Sequence, residues 1–128
     1  MWLTDLLFGK KRMRGSVNVS TRQNIEMEWK NIDVMLKQKG PSQLRLALIT
    51  ADKTLDNALR DMVDGDTLGD KLKNASEIFD KETLNKIWEA HKLRNNLVHE
   101  SGFEPPYFVV TEAVQNFRSA LYILGVRV

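Results

Sequence analysis

Residues 91–100 read His-Lys-Leu-Arg-Asn-Asn-Leu-Val-His-Glu and close a helical pattern that begins near Lys81. At about 100° per residue, this segment has two apolar sides. One side carries Leu84, Ile87, Trp88, His91, Asn95 and Val98, and the other carries Ala90, Leu93 and Leu97. A helix with two apolar sides is either central in its bundle or packs on a second subunit. The stretch therefore predicts an all-helical domain built around this helix.

The rest of the chain repeats the helical periodicity in four further segments. These lie at roughly 21–39, 43–63, 68–79 and 112–124. Gly40-Pro41 should end the first of them, with glycine as a left-handed C-cap and proline unable to continue the helix. Residues 101–110 contain Pro105-Pro106 and predict a loop, which Phe103, Tyr107 and Phe108 should pin to the core. The fold class expected for residues 20–128 is therefore all-α, an antiparallel bundle of about five helices.

The composition narrows the classes of function. The chain has 128 residues, the length of one domain, and a formal net charge of +2, so any affinity for nucleic acid or anionic membrane must come from a local patch. It has no cysteine, which excludes a disulfide scaffold and a thiolate metal site and fits a cytoplasmic protein. Its two histidines show no metal-ligand spacing, and no phosphate-binding glycine loop is present. We therefore expect neither a metal nor a cofactor.

Residues 1–19 form an apolar and basic segment followed by a linker. The apolar run includes Trp2, and the basic residues after it are Lys10, Lys11, Arg12 and Arg14. The run is far shorter than the roughly 20 residues that a membrane-spanning helix needs. Three roles remain open for this segment: a terminus docked on the domain, a peripheral foot on an anionic membrane surface, and a basic arm that contacts RNA.

Polar side chains interrupt the apolar face at His91, Arg94 and Asn95. Burying such groups is costly unless each is paired, so their presence needs a reason. They form either a satisfied polar network that fixes packing or a dimer interface, or a functional site. Asp52 lies at the edge of the apolar face of the second helix, where it is either solvated or the partner of a buried cation.

The string Arg94-Asn95-x-x-x-His99 resembles the Arg-x(4–6)-His motif of the HEPN superfamily, many of whose members are metal-independent ribonucleases. Its position at the end of a long helix, before a loop and one last helix, is also similar. The resemblance covers roughly residues 20–125. Residues 88–95, Trp-Glu-Ala-His-Lys-Leu-Arg-Asn, look like small bacterial HEPN-like proteins. One departure is Ser101, where the toxin branch of the family often has tyrosine, so a toxin role and regulation through that tyrosine are not expected.

The resemblance implies roles for individual residues. His99 would be the general acid or base and Arg94 the phosphate clamp, while Asn95 would orient His99. Supporting roles would fall to His91, Asp52 and Glu100, and nucleic-acid contacts to Lys73, Lys86 and Lys92.

Arg94 and His99 are five residues apart, hence about 140° apart on a helix, so one helix cannot easily aim both at one phosphate. Two helices related by a two-fold axis can aim both groups at one phosphate. The resemblance to the family implies the same arrangement, a composite site at a dimer interface. We therefore expect a homodimer, with the Leu93 and Leu97 stripe as the candidate contact.

The leading expectation is a metal-independent endoribonuclease of HEPN type that acts on RNA as a homodimer. The alternative is a non-catalytic HEPN-like binding or dimerisation module, held at a membrane surface by its N-terminal segment. An unrelated helical interaction domain is the third reading. The direction in which His99 points, and whether Arg94 is satisfied internally, are the features that distinguish these hypotheses.

Overall fold

A computed structural model describes residues 15–128 of the chain. It contains five helices: α1 (Val19–Gln38), α2 (Pro41–Arg60), α3 (Leu68–Lys73), α4 (Lys81–His99) and α5 (Tyr107–Ile123). The described part has no strand, which confirms the all-α helical bundle. None of the described helices is long and apolar enough to cross a membrane. The predictions for Trp2, Lys10, Lys11, Arg12 and Arg14 lie outside the described residues.

The central element is α2, and the prediction that the helix ending at His99 is central was wrong. Helix α2 packs against each of the other four helices, most extensively against α1 and α5, whereas α4 packs mainly on α5. Nine residues of α2 are buried, compared with Ile87, Ala90 and Leu97 on α4. Three alanines on this face, Ala47, Ala51 and Ala58, are fully buried. Their small side chains let the backbones of neighbouring helices approach closely. Helix α4 therefore lies at the outside of the bundle, with polar side chains between it and α2.

A buried hydrogen-bond relay fixes α1 on the part of α2 that carries Asp52. The Trp29 indole Nε1–H donates to the Thr54 hydroxyl at 3.0 Å, and that hydroxyl donates to the Ala51 carbonyl at 2.7 Å. The indole N–H of a buried tryptophan needs a partner, and this hydroxyl supplies one. The backbone around Asp52 is therefore held in place by the core.

The turn between α1 and α2 differs from the expected glycine cap. Lys39, not Gly40, has the left-handed conformation, with φ of 62°. Gly40 is extended, with φ of −71° and ψ of 152°. The cause is Pro41, because the ring of a proline disfavours the helical region in the residue before it and leaves that residue extended. The left-handed position moves one residue earlier and falls on a lysine.

Two helix boundaries also differ from those expected. Helix α3 ends at Lys73, and residues 74–79 continue in turns rather than in the helix predicted to Phe79. Helix α5 begins at Tyr107, directly after Pro106, within the predicted loop. Phe103 packs partly buried on the core as expected. Tyr107 and Phe108 do not pin the loop, because they are 58% and 60% exposed.

Candidate active site

A carboxylate–histidine pair joins α2 to α4. Asp52 is 4% exposed, and its Oδ2 lies 2.6 Å from Nδ1 of His91. Nδ1 therefore carries the proton that the carboxylate accepts. Of the two roles left open for Asp52, the solvated one is wrong: Asp52 is buried, pairs with His91 and has the Arg94 Nε at 3.8 Å. The pair is short and largely shielded from water, so it fixes the rotation of the imidazole ring.

Asn95 links this pair to Arg94. The Asn95 Nδ2 amide lies 3.5 Å from Nε2 of His91, and its Oδ1 accepts a hydrogen bond of 2.9 Å from Nη1 of Arg94. In a neutral ring protonated on Nδ1, Nε2 is an acceptor, which matches the amide donor facing it. The four side chains of Asp52, His91, Arg94 and Asn95 form one network, hereafter the polar cluster. Asn95 makes no hydrogen bond to His99, so the role predicted for it, orienting His99, is not what the geometry shows.

Arg94 is partly buried, and its guanidinium contacts Asp52 and Asn95. Its Nε lies 3.8 Å from Oδ1 of Asp52, and it has no hydrogen-bond acceptor although the atom is buried. The side chain as a whole remains 30% exposed. The carboxylate therefore offsets part of the guanidinium charge at Nε, while the side chain keeps some contact with solvent. A guanidinium held in this way keeps donors for an oxyanion and loses little side-chain freedom when it binds one.

His99 is exposed and is the last residue of α4. The next residue, Glu100, is an exposed C-cap whose backbone N–H donates to the Asn96 carbonyl at 2.9 Å. No described residue hydrogen-bonds to the His99 side chain in the structure. The imidazole is therefore available for contact with a ligand.

The three predicted nucleic-acid lysines are all exposed. Lys92 lies seven residues before His99, so the two share a face of α4 about 10 Å apart along the axis. Lys86 Nζ lies 3.9 Å from the carboxylate of Glu82, one helical turn earlier. Both side chains are exposed, so this ion pair contributes little to stability. Lys73 ends α3 on a different helix. Only Lys92 is therefore aligned with the predicted acid or base.

The predicted dimer stripe is not free for a partner. Leu97 is 3% exposed and belongs to the protomer's own core, and Leu93 packs partly buried against that core. The expectation that Leu93 and Leu97 make the contact with a second subunit is therefore wrong for Leu97. An open groove of about 380 Å³ runs between α4 and α5 along Leu93, and Lys92 and Glu112 flank it.

Comparison of the chain with protein-family models, with curated proteins and with solved structures gave no match in any of the three. Membership of the HEPN superfamily therefore remains a prediction from the motif.

The structure brings together Asp52, His91, Arg94 and Asn95 from two helices, and it leaves His99 and Glu100 apart from them at the helix end. The sequence analysis did not predict that Asn95 hydrogen-bonds to Arg94. The position of both residues beside His91 on one helix could have indicated it, because an amide can bridge a guanidinium and an imidazole. Within residues 15–128, no three side chains of His, Asp and Glu come together as a metal-binding group would.

Proposed function

We propose that this protein is a metal-independent endoribonuclease of HEPN type that acts as a homodimer. The observation that carries the proposal is the state of Arg94: Asp52 and Asn95 hold its guanidinium in one orientation, and its side chain is still 30% exposed. A purely structural arginine in such a cluster needs an acceptor for each buried donor, yet its buried Nε has none. His99, exposed on the same helix, supplies the titratable group.

The chemistry follows from the two residue types. One imidazole takes the proton of a ribose 2′-OH, and the 2′ oxygen attacks the adjacent phosphorus. The bond from phosphorus to the 5′ oxygen breaks, and a protonated imidazole donates a proton to that leaving oxygen. The products are a 2′,3′-cyclic phosphate and a free 5′-OH. Arg94 stabilises the negative charge that develops on the non-bridging oxygens.

A second protomer supports this chemistry for a geometric reason. Arg94 points toward α2, whereas His99 lies about 140° away around α4. One protomer therefore does not aim both groups at one phosphate. Two α4 helices related by a dyad can place the arginine of one subunit opposite the histidine of the other. Each such site then holds one arginine and one imidazole, and that imidazole first takes the 2′-OH proton and then gives it to the leaving 5′ oxygen.

A non-catalytic binding or dimerisation module is the second candidate, and one observation favours it. Arg94 contacts Asp52 of α2 as well as Asn95 beside it on α4, so its contacts join these two helices. Such a network also serves to fix the rotation of α4 on α2. In that case Arg94 and His99 would contribute to folding or assembly and not to bond cleavage.

Cleavage of RNA in the presence of EDTA tests the proposal. Wild-type protein should cut single-stranded or loop RNA and leave a 2′,3′-cyclic phosphate. His99→Ala should slow cleavage by about 100-fold or more, the usual scale for losing a general acid or base. Arg94→Ala should slow it comparably, because alanine removes the guanidinium altogether.

Lys30→Ala is the matched control, because Lys30 is an exposed cation on the outer face of α1. It should cut RNA as the wild type does. Circular dichroism must show each variant to be folded before rates are compared. If folded His99→Ala retains full activity, another group performs the chemistry. If the wild type cuts no RNA between about pH 6 and 8, where an unperturbed histidine can act, the ribonuclease proposal fails and the binding module becomes the leading candidate.

A further inference from the structure

A groove of about 270 Å³ opens beside the C-terminal end of α4. Its floor is apolar and consists of Leu44, Leu97 and Val110, each less than 5% exposed. Phe103 and Pro105, from the segment after His99, form one wall. This volume lies just below the range of about 300–1,000 Å³ that is common for small-molecule pockets. The groove therefore suits one flat, partly apolar group.

Two cations stand at the groove without partners. Lys39 and Arg45 line it, both exposed, and neither makes a salt bridge or a side-chain hydrogen bond with any residue in the part of the chain the structure describes. Glu104 is the carboxylate among the lining residues. The net charge of the lining residues is therefore positive, and it lies beside an apolar floor. This combination fits a flat ligand that carries an anionic group.

An aromatic pair completes the rim. Tyr107 lines the groove and is 58% exposed, and its ring meets that of Phe108 edge to face at 6.4 Å between centroids. Both rings sit on the first turn of α5, which a proline precedes. Two large aromatic side chains this exposed bury little area within the protomer. Their faces are available for stacking, the contact by which proteins hold unpaired bases.

We propose that this groove binds one unpaired nucleotide of a single-stranded RNA, with the base against Tyr107 and the phosphate at Arg45 and Lys39. This rests on the proposed function, which supplies RNA as the ligand. The groove reaches the reacting end of α4 through a short path: Leu97 is two residues before His99, and the Phe103 N–H donates to the Glu100 carbonyl at 3.3 Å. Leu97 and His99 are about 160° apart around α4, so a strand held in the groove has to run around the end of the helix to reach the imidazole.

Binding of a strand that cannot be cleaved tests the groove separately from the chemistry. The probe is a short fluorescein-labelled 2′-O-methyl oligoadenylate, which lacks the attacking hydroxyl, and the readout is fluorescence anisotropy. Tyr107→Ala should weaken binding by roughly 10-fold, within the range for loss of one base–aromatic stack. Arg45→Ala should weaken binding and lower the slope of log affinity against log salt by about 0.7, the value for one phosphate contact on a single strand.

Matched controls come from the same two helices. Tyr122→Ala removes an exposed tyrosine at the far end of α5, and Lys53→Ala removes an exposed cation on α2. Both should bind the probe as the wild type does. Loss of binding in Tyr107→Ala and Arg45→Ala but not in the controls supports the groove.

Two results would overturn the groove: equal binding by all four variants, or binding of a double-stranded RNA of the same length or of an acidic peptide as tight as that of the probe. The outcomes also separate the two proposals. If the wild type binds the probe at the groove but cuts no RNA, the groove stands and the ribonuclease proposal fails. If the wild type cuts RNA while Tyr107→Ala and Arg45→Ala bind and cut like the controls, the ribonuclease proposal stands and the groove fails.

Discussion

Removal of the Asp52 carboxylate is the sharpest test of the polar cluster. Asp52 is 4% exposed and receives a hydrogen bond of 2.6 Å from His91, with Nε of Arg94 at 3.8 Å. Asp52→Ala leaves the Nδ1–H of His91 without this acceptor and leaves the Arg94 charge without its counter-charge. It therefore tests whether the cluster holds α4 on α2 and whether it orients the guanidinium.

The expected loss follows from these contacts. A hydrogen bond to a charged group contributes about 1.5–3 kcal/mol to the free energy of unfolding. The Arg94 contact is long and its side chain is 30% exposed, so it adds at most about 0.5 kcal/mol. Asp52→Ala should thus cost about 2–3 kcal/mol. At roughly 3–5 °C per kcal/mol for a domain of this size, the melting temperature should fall by about 10 °C.

Urea unfolding followed by far-UV circular dichroism measures this loss of stability, and two further variants serve as comparisons. Asp52→Asn keeps the shape and one acceptor and should lose less stability than Asp52→Ala. Asp33→Ala removes an aspartate that pairs with Arg118 at the surface, with 46% of its side chain exposed, and should cost less than about 1 kcal/mol. In a double-mutant cycle, Asp52→Ala and His91→Ala should couple by about 1 kcal/mol or more. If Asp52→Ala costs no more than Asp33→Ala, or the cycle is additive, the cluster does not hold the two helices together.

Two further predictions concern helix ends. Lys39→Gly should raise the free energy of unfolding by up to roughly 1 kcal/mol, because Lys39 has φ of 62° and glycine accepts that conformation without a Cβ penalty; an unchanged or lower urea midpoint would contradict this. Asp80→Ala should lower the melting temperature at neutral pH, because backbone and side-chain hydrogen bonds from Thr83 lower the pKa of Asp80 and stabilise its charged form in the folded protein. A group with a lowered pKa stabilises the folded protein above the ordinary aspartate value of about 3.9, and this stabilisation is lost as the pH falls through the lower, folded value. The difference in melting temperature between Asp80→Ala and the wild type should therefore shrink in acid. A difference that does not depend on pH would contradict the capping role.

The sequence predicted the helices where local signals and burial agreed. Helix α4 runs from Lys81 to His99 as expected, because Asp80 accepts a hydrogen bond from the Thr83 N–H and the apolar period is regular. At the first turn, the effect of Pro41 on Gly40 outweighed the preference of glycine for a left-handed cap. At α5, the run Tyr107 to Val110 favours a strand by propensity, but burial of Val110, Val114 and Phe117 at helical spacing decides for a helix.

The sequence singles out the four residues of the polar cluster, but it does not show how they pair. Periodicity places Asp52 at the edge of one helix and His91 on a face of another, but it does not say which helices meet. That α2 and not α4 is central follows from the packing of all five helices. For the same reason the sequence could not show that Leu97 is used inside the protomer while His99 is exposed.

Mixing two inactive variants tests the composite ribonuclease site most directly. In the proposed dimer, a heterodimer of Arg94→Ala and His99→Ala retains one guanidinium and one imidazole, supplied by different subunits. Each variant alone should fail to cut RNA in EDTA, and the mixture should recover activity in proportion to the heterodimer formed after subunit exchange. The recovered product should end in a 2′,3′-cyclic phosphate. A mixture that exchanges subunits and stays as inactive as its components would contradict a site shared between two copies of α4.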